Sequence, residues 1–224
     1  MIQRTLAKYG ADAHGEYSNP MLTIENGRII CRETWTAATR LQSGDIDARE
    51  WLMLPGFIDI HIHGGAGYNI MAATRQSPDP LLKVADHLSS HGVTSFLATT
   101  VTAPWENLQQ TMDVVQTVMK ETPSTGAGLL GCHLEGPYIN PKKKGAQPEA
   151  FIRLPNADEF LEKTEGNLNV VKIVTLAPEM EGAENLLRAL TTLGIVPSIG
   201  HTDASFAQIE RAVALGARHV THGA

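Results

Sequence analysis

Residues Leu54–Gly65 read LPGFIDIHIHGG. The segment begins as an apolar, β-prone run and ends in two histidines one residue apart, followed by paired glycines. An apolar run without alternation fits a buried strand of a parallel sheet, which has no polar face. Residues two apart in a strand project to the same side, so His61 and His63 aim into one place at the strand end.

The same strand-then-helix alternation recurs downstream. Pro78–His91 has a helical pattern closed by Gly92, GVTSFLATT (92–100) is a strand, and Pro104–Glu121 is a helix. GLLGCHLEG (128–136) is a strand, followed by a long Pro/Lys/Gly loop and a helix near Pro155–Thr164. NVVKIVTLAPE (169–179) is a strand, and Gly182–Leu193 is a helix ended by Gly194. IVPSIGH (195–201) is a strand, Ala204–Leu215 a helix ended by Gly216, and ARHVTH (217–222) a strand. Six apolar strands separated by helices imply an α/β fold with a parallel sheet. That sheet is either open or part of a (β/α) barrel; a complete eight-unit barrel needs about 250 residues.

The first residues differ. MLTIENGRII (21–30) places an Asn-Gly turn between two short β-prone runs, the signature of a hairpin. Residues 1–51 are therefore predicted to form a small β unit, and residues 52–224 the α/β unit.

The chain of 224 residues is 42% hydrophobic and 19% charged, an ordinary globular composition. No run of about 18 apolar residues offers a membrane span, and MIQRTLAKYG lacks the apolar core of a secretory signal. A net charge of −6 without a basic patch argues against nucleic acid. Cys31 and Cys132 show no CxxC spacing and suit a reducing cytoplasm, with Cys132 a small buried residue.

The metal-ligating residue types fall at one edge. His61 and His63 end the first strand of the alternation, Glu135 the third, His201 the fifth and His222 the sixth. In parallel α/β folds the C-terminal strand edge carries the site, and imidazole with carboxylate is a normal donor set for zinc and related divalent ions. Asp59, two residues before His61, shares its side from a deeper position and is read as an orienting partner of the ligands rather than a base. His133 alternates with Glu135, so it either helps orient a ligand or is a satisfied core histidine. His87 and His91, four apart in HLSSH, lack the glutamate of a zincin helix and fit a solvated face. HGGAGYN (63–69) reads as a tight turn, and PKKKGAQ (141–147) is the one local basic run, placed near the proposed site by following Glu135.

LPGFIDIHIHGG, HLEGPYINPKKKGA (133–146), LAPE (176–179) and GHTDA (200–204) together resemble the N-acetylglucosamine-6-phosphate deacetylases, a family of the amidohydrolase superfamily. The resemblance runs from about Leu54 to His222. It implies a metal-dependent TIM-type (β/α) barrel, here with six of eight strands, and a small β domain built from both chain ends. It also implies a homodimer, a cytoplasmic location and hydrolysis of the N-acetyl group of a phosphorylated amino sugar. Carried over residue by residue, Glu135, His201 and His222 match the metal ligands, and His61 and His63 match a pair that some members use for a second ion. The implied cofactor is one or two divalent ions, zinc first, with iron, manganese or cobalt as alternatives. Many amidohydrolases bridge two ions with a carboxylated lysine at the fourth strand end. TLAPE has none there and Lys172 is too early, so Glu135 would take the bridging role.

Three departures qualify the resemblance. Ala146 and Gln147 align with substrate contacts, but Gln147 stands where the family has histidine. The chain reads THGA where the family continues THLFNAM. The catalytic aspartate and most sugar and phosphate contacts are expected beyond residue 224, so no catalytic residue is assigned within the chain. Six strands alone would leave two apolar edges, and residues 1–224 by themselves are expected to associate or be poorly soluble and to lack turnover. The alternatives are a deacetylase for N-acetylgalactosamine 6-phosphate or a related amide, and a metal-binding chain without turnover.

Overall fold

In the computed structural model, which describes residues 2–121 and 126–222, Asn26 and Gly27 both adopt positive φ, 51° and 73°. That is the left-handed pair a two-residue hairpin turn requires. The strands it joins are β3 (Pro20–Glu25) and β4 (Arg28–Thr34), in a five-stranded sheet with β1 (Ile2–Asp12), β2 (Gly15–Ser18) and β5 (Ile46–Met53). β1 is the hub: it pairs antiparallel with β2 and β3 and parallel with β5. Leu6 and Ala7 on β1 are fully buried, and Arg4 forms an ion pair with Asp45, just ahead of β5. The chain divides into two units after Gly56. This lies beyond the expected boundary at 51/52, because β5 stays paired to β1 through Met53.

The second unit follows the alternation read from the sequence. It runs β6 (Phe57–Ile62), a short hairpin of β7 (Gly64–Gly65) and β8 (Tyr68–Asn69), α1 (Asp79–Ser89), β9 (Val93–Thr100), α2 (Trp105–Glu121) and β10 (Gly128–Glu135). It continues with α3 (Ala157–Lys163), β11 (Val171–Leu176), α4 (Ala183–Thr192), β12 (Val196–Ile199), α5 (Phe206–Ala214) and β13 (His219–Val220). The six longer-range strands form one parallel sheet in the order β13-β12-β11-β10-β9-β6. Helix starts are capped by side chains: Asn156 accepts from the Glu159 N–H at α3, and Ser205 and Gln208 form a capping box at α5. Gly216, just past α5, has φ 115° and packs so closely that a Cβ would lie 2.1 Å from Thr191 Oγ1. α4 buries Leu186, Leu187 and Leu190 in a core shared with α2 residues Leu108, Met112 and Val115 and strand residues Phe96 and Val174.

The sheet is strongly curled. β6 and β13 are its two edges, five inter-strand steps apart, and at about 4.8 Å per step a flat sheet would separate them by roughly 24 Å. Yet the rings of His61, on β6, and His222, just past β13, have centroids 5.0 Å apart. Only a sheet bent as part of a barrel brings them together, which resolves the choice between an open sheet and a barrel segment.

Among the described residues the opening apolar run forms one of the two apolar edges expected of six strands: Phe57 is 70% and Ile58 61% exposed. β6 pairs with β9 on one side only, and a strand at a sheet edge leaves one flank and part of both faces uncovered. The two cysteines differ sharply. Cys31 is exposed, whereas Cys132 is buried, and burial pushes its thiol up to about 12. A thiol reagent is therefore expected to label Cys31 alone in the native protein and both residues in denaturant; labelling of both before unfolding would contradict the packing.

Candidate metal centre

β10 points His133 and Glu135 to the same face, and both are buried. Glu135 is the centre of the cluster. Its Oε1 lies 3.0 Å from His201 Nε2 and 2.9 Å from His222 Nε2, with His61 Nε2 at 3.6 Å. Its Oε2 lies 3.1 Å from His63 Nε2. The two oxygens thus divide the imidazoles between them. One ligand atom each from His61, Glu135 and His222 lie within 4.8 Å of one another. All five ligand candidates read from the sequence come to this place, at the C-terminal ends of β6, β10, β12 and β13.

The backbone is bent to achieve this. His201 and His222 both hold left-handed conformations, φ 50° and 57°, a geometry that costs an ordinary residue about 1–2 kcal/mol. Strain of this kind persists where the surroundings over-determine it, and it concentrates at functional sites.

Hydrogen bonds behind the rings set their tautomers. His63 Nδ1 lies 3.2 Å from the Thr99 carbonyl and His201 Nδ1 lies 3.0 Å from the Lys143 carbonyl. A carbonyl only accepts, so each Nδ1 donates and each Nε2 is left to face Glu135. Burial acts to raise the Glu135 carboxyl, but His201 and His63, whose Nε2 atoms donate to it when those rings are protonated, outweigh burial and hold the group well below the usual carboxylate range. The same contacts raise His63 and His201, whereas burial lowers His61. Neutral Nε2 lone pairs pointing at carboxylate lone pairs repel, so the cluster needs positive charge at its centre, either shared protons or a metal ion. Four imidazoles and a carboxylate, with backbone carbonyls fixing the rings, are donors suited to a divalent ion.

The remaining candidates fall around this centre. Asp59 Oδ1 accepts from the His61 backbone N–H at 3.0 Å, so it braces the strand end rather than a ring. His133 is fully buried: Nδ1 donates to the Ile60 carbonyl at 2.8 Å, Nε2 lies 2.7 Å from Thr175 Oγ1, and its ring meets that of His61 edge-on at 4.9 Å. Both nitrogens are satisfied within the protein, the core-histidine arrangement.

Gln147 is buried with both ends of its amide engaged. Nε2 donates to Glu135 Oε2 at 2.6 Å, and Oε1 accepts from the Thr102 N–H at 2.7 Å. Ala146 is exposed beside it. In the basic run, Lys143 pairs with Asp203 at 3.0 Å, and Lys144 approaches Glu149 at 4.0 Å. The rings of His87, on α1, and His91, just past its end, lie 4.5 Å apart and tilted to one another. Sequence reasoning did not single out Thr99, and it marked Lys143 only as part of the basic run; both act through backbone carbonyls, which carry no side-chain signature.

The model of the amidohydrolase family matches residues 52–222. N-acetylglucosamine-6-phosphate deacetylase of Bos taurus is 41% identical over 204 residues, covering 90% of this chain and 49% of the relative. The enzyme of the same name from Bacillus subtilis (strain 168) is 42% identical over 173 residues, 76% of this chain and 43% of its own length. A solved structure of a mutant N-acetyl-D-glucosamine-6-phosphate deacetylase from Mycobacterium smegmatis, in complex with N-acetyl-D-glucosamine-6-phosphate, is similar with a TM-score of 0.84 and 28% identity. That likeness covers 99% of this chain and 55% of the other. The chain spans about half the length of the curated relatives it matches.

Proposed function

The chain belongs to the amidohydrolase family, and from that premise we propose that its protein removes the N-acetyl group of N-acetylglucosamine 6-phosphate, yielding glucosamine 6-phosphate and acetate. The observation that carries the reading is the gathering of four imidazole Nε2 atoms around the buried carboxylate of Glu135. Glu135, His201 and His222 would hold a divalent ion, zinc first and iron, manganese or cobalt as alternatives. His61 and His63 would complete that site or hold a second ion.

Such an ion would supply Lewis acidity, polarising the acetyl carbonyl and lowering the pKa of water from about 15.7 towards 7. The chain's own residues supply the frame. Glu135 stays ionised, the Thr99 and Lys143 carbonyls keep two rings in the ligating tautomer, and the Gln147 amide holds the Glu135 oxygen that faces His63. Amide hydrolysis also needs a carboxylate that takes the water proton and delivers it to the departing amine. Asp59 is committed to the His61 backbone, and the proposal places this role on an aspartate beyond residue 224, on the strands that would lie between β13 and β6 in an eight-stranded barrel. A homodimer in the cytoplasm, acting on a phosphorylated amino sugar, completes the proposal. Among the described residues no helix is long and apolar enough to cross a membrane.

The test is acetate release by the complete, metal-supplied protein from N-acetylglucosamine 6-phosphate and, separately, from N-acetylgalactosamine 6-phosphate. Release from the first at enzymatic rates is expected. Preference for the second would move the assignment to the other sugar, and no release from either would reject it.

A further inference from the structure

Glu179 closes the LAPE segment after β11 and lies outside the ligand set. Its carboxylate nonetheless gathers three donors from two other loops. Oε1 accepts from Asn140 Nδ2 and from the Asp203 backbone N–H, each at 2.7 Å. Oε2 accepts from the Thr202 hydroxyl, which in turn accepts from the Ala204 N–H at 3.0 Å. Asn140 belongs to the loop after β10, and its backbone N–H donates to the His201 carbonyl at 3.0 Å. Thr202 and Asp203 are the two residues that follow His201.

This matters because His201 has a left-handed backbone. A residue with a Cβ leaves that conformation unless its neighbours are held on both sides. On the N-terminal side the Gly200 N–H donates to the Leu176 carbonyl at 3.2 Å. On the C-terminal side the hold comes from Glu179 through Thr202 and Asp203. Lys143 adds a tie, since its ammonium pairs with Asp203 while its carbonyl accepts from the His201 ring. A carboxylate suits the place because it offers two oxygens that only accept, where three donors converge.

We propose that Glu179 is a positioning residue for the metal centre: it clamps the turn carrying His201, so that Nε2 of that ring stays directed at Glu135. The inference rests on the metal-dependent reading and adds to it a residue outside the ligand set. Alanine at this position leaves three donors unpartnered and the turn unheld. Glutamine keeps one accepting oxygen for Asn140 and Asp203, and the Thr202 hydroxyl can rotate to accept from the new amide.

The test measures metal affinity of the purified protein by chelator competition, together with thermal stability of the metal-free form. Glu179→Ala is expected to weaken metal binding by about 10–100-fold, the usual consequence of losing an outer partner of a ligand. Glu179→Gln should restore affinity close to wild type, and Thr202→Val, which removes one of the three contacts, should weaken it less. Unchanged affinity in Glu179→Ala, with or without a lower melting temperature, overturns the proposal. If that variant does not fold, unchanged affinity in Thr202→Val does the same. A wild-type protein that takes up no metal rejects the metal reading itself and the clamp with it, whereas a normal wild type beside an unaffected Glu179→Ala rejects the clamp alone.

Discussion

Glu135→Ala protein is expected to emerge from purification without its metal and to stay empty when metal is supplied at concentrations that saturate the wild type. Glu135 is the only carboxylate among the five ligand candidates, it is 1% exposed, and four imidazole nitrogens face its two oxygens. Removing one partner of a buried charge interaction costs about 3–5 kcal/mol, which corresponds to roughly 10²–10⁴-fold in affinity. Glu135→Gln separates charge from shape. Its single carbonyl oxygen can serve either the Gln147 amide or the side facing His201 and His222, not both, so it too should lose most of the affinity. Elemental analysis showing full occupancy in Glu135→Ala would remove Glu135 from the ligand set. His201 and His63 should also titrate lower in that variant, since contact with Glu135 is the main influence raising both.

Much of this centre was visible in the chain because it obeys short-range rules. Strand parity alone puts His61 beside His63 and His133 beside Glu135, and the glycines after the helices mark where each strand begins. The N-terminal unit shows where those rules stop. β1 buries Leu6 and Ala7 in succession, and its register with β5 shifts between Ala7 and Tyr9. A bulge of this kind moves the inward face by one residue and erases the period-two pattern, so β1 leaves no alternation to read and only the Asn-Gly hairpin stands out. Exposure of Phe57 and Ile58 follows from the place of β6 at the sheet edge, which is a property of strand order rather than of the local run. Gln147 is a third case. Its partners Thr102 and Glu135 are 45 and 12 residues away, and nothing local distinguishes an amide turned onto Glu135 from one turned towards a substrate. The tautomer-setting carbonyls of Thr99 and Lys143 are further from reach, because every residue carries the same backbone acceptor.

Acidification is expected to destabilise the α/β unit through His133, which lies in the interior beside the candidate metal centre. Burial pushes this imidazole down from 6.5 to about 4. The sign follows from comparing the two states. Between those values the unfolded chain binds a proton at His133 that the folded protein does not, so folding stability falls as pH falls. The contribution is complete above about pH 6.5, declines through the interval and is exhausted near pH 4. A difference of this size corresponds to about 3 kcal/mol. The hydrogen bonding explains why the proton is unwelcome. His133 Nδ1 already donates to Ile60, so neutral Nε2 must accept from Thr175. Thr175 then accepts from Thr221, Thr221 from Ser198, and Ser198 from His219 Nδ1, through contacts of 2.8, 2.6 and 2.8 Å. A proton on Nε2 turns that acceptor into a donor, so the Thr175 hydroxyl proton loses its partner unless the hydroxyls along the chain reverse, with His219 changing tautomer at the far end. Urea unfolding of metal-free protein at pH 7.5 and 4.5 should show wild type losing about 2.5 kcal/mol more than His133→Gln, which cannot take up the proton. Equal losses would place the acid sensitivity elsewhere. Should the glutamine variant not fold, the His133 Cε1–H resonance of the native protein decides the matter, since a midpoint near 6.5 would contradict the buried neutral ring.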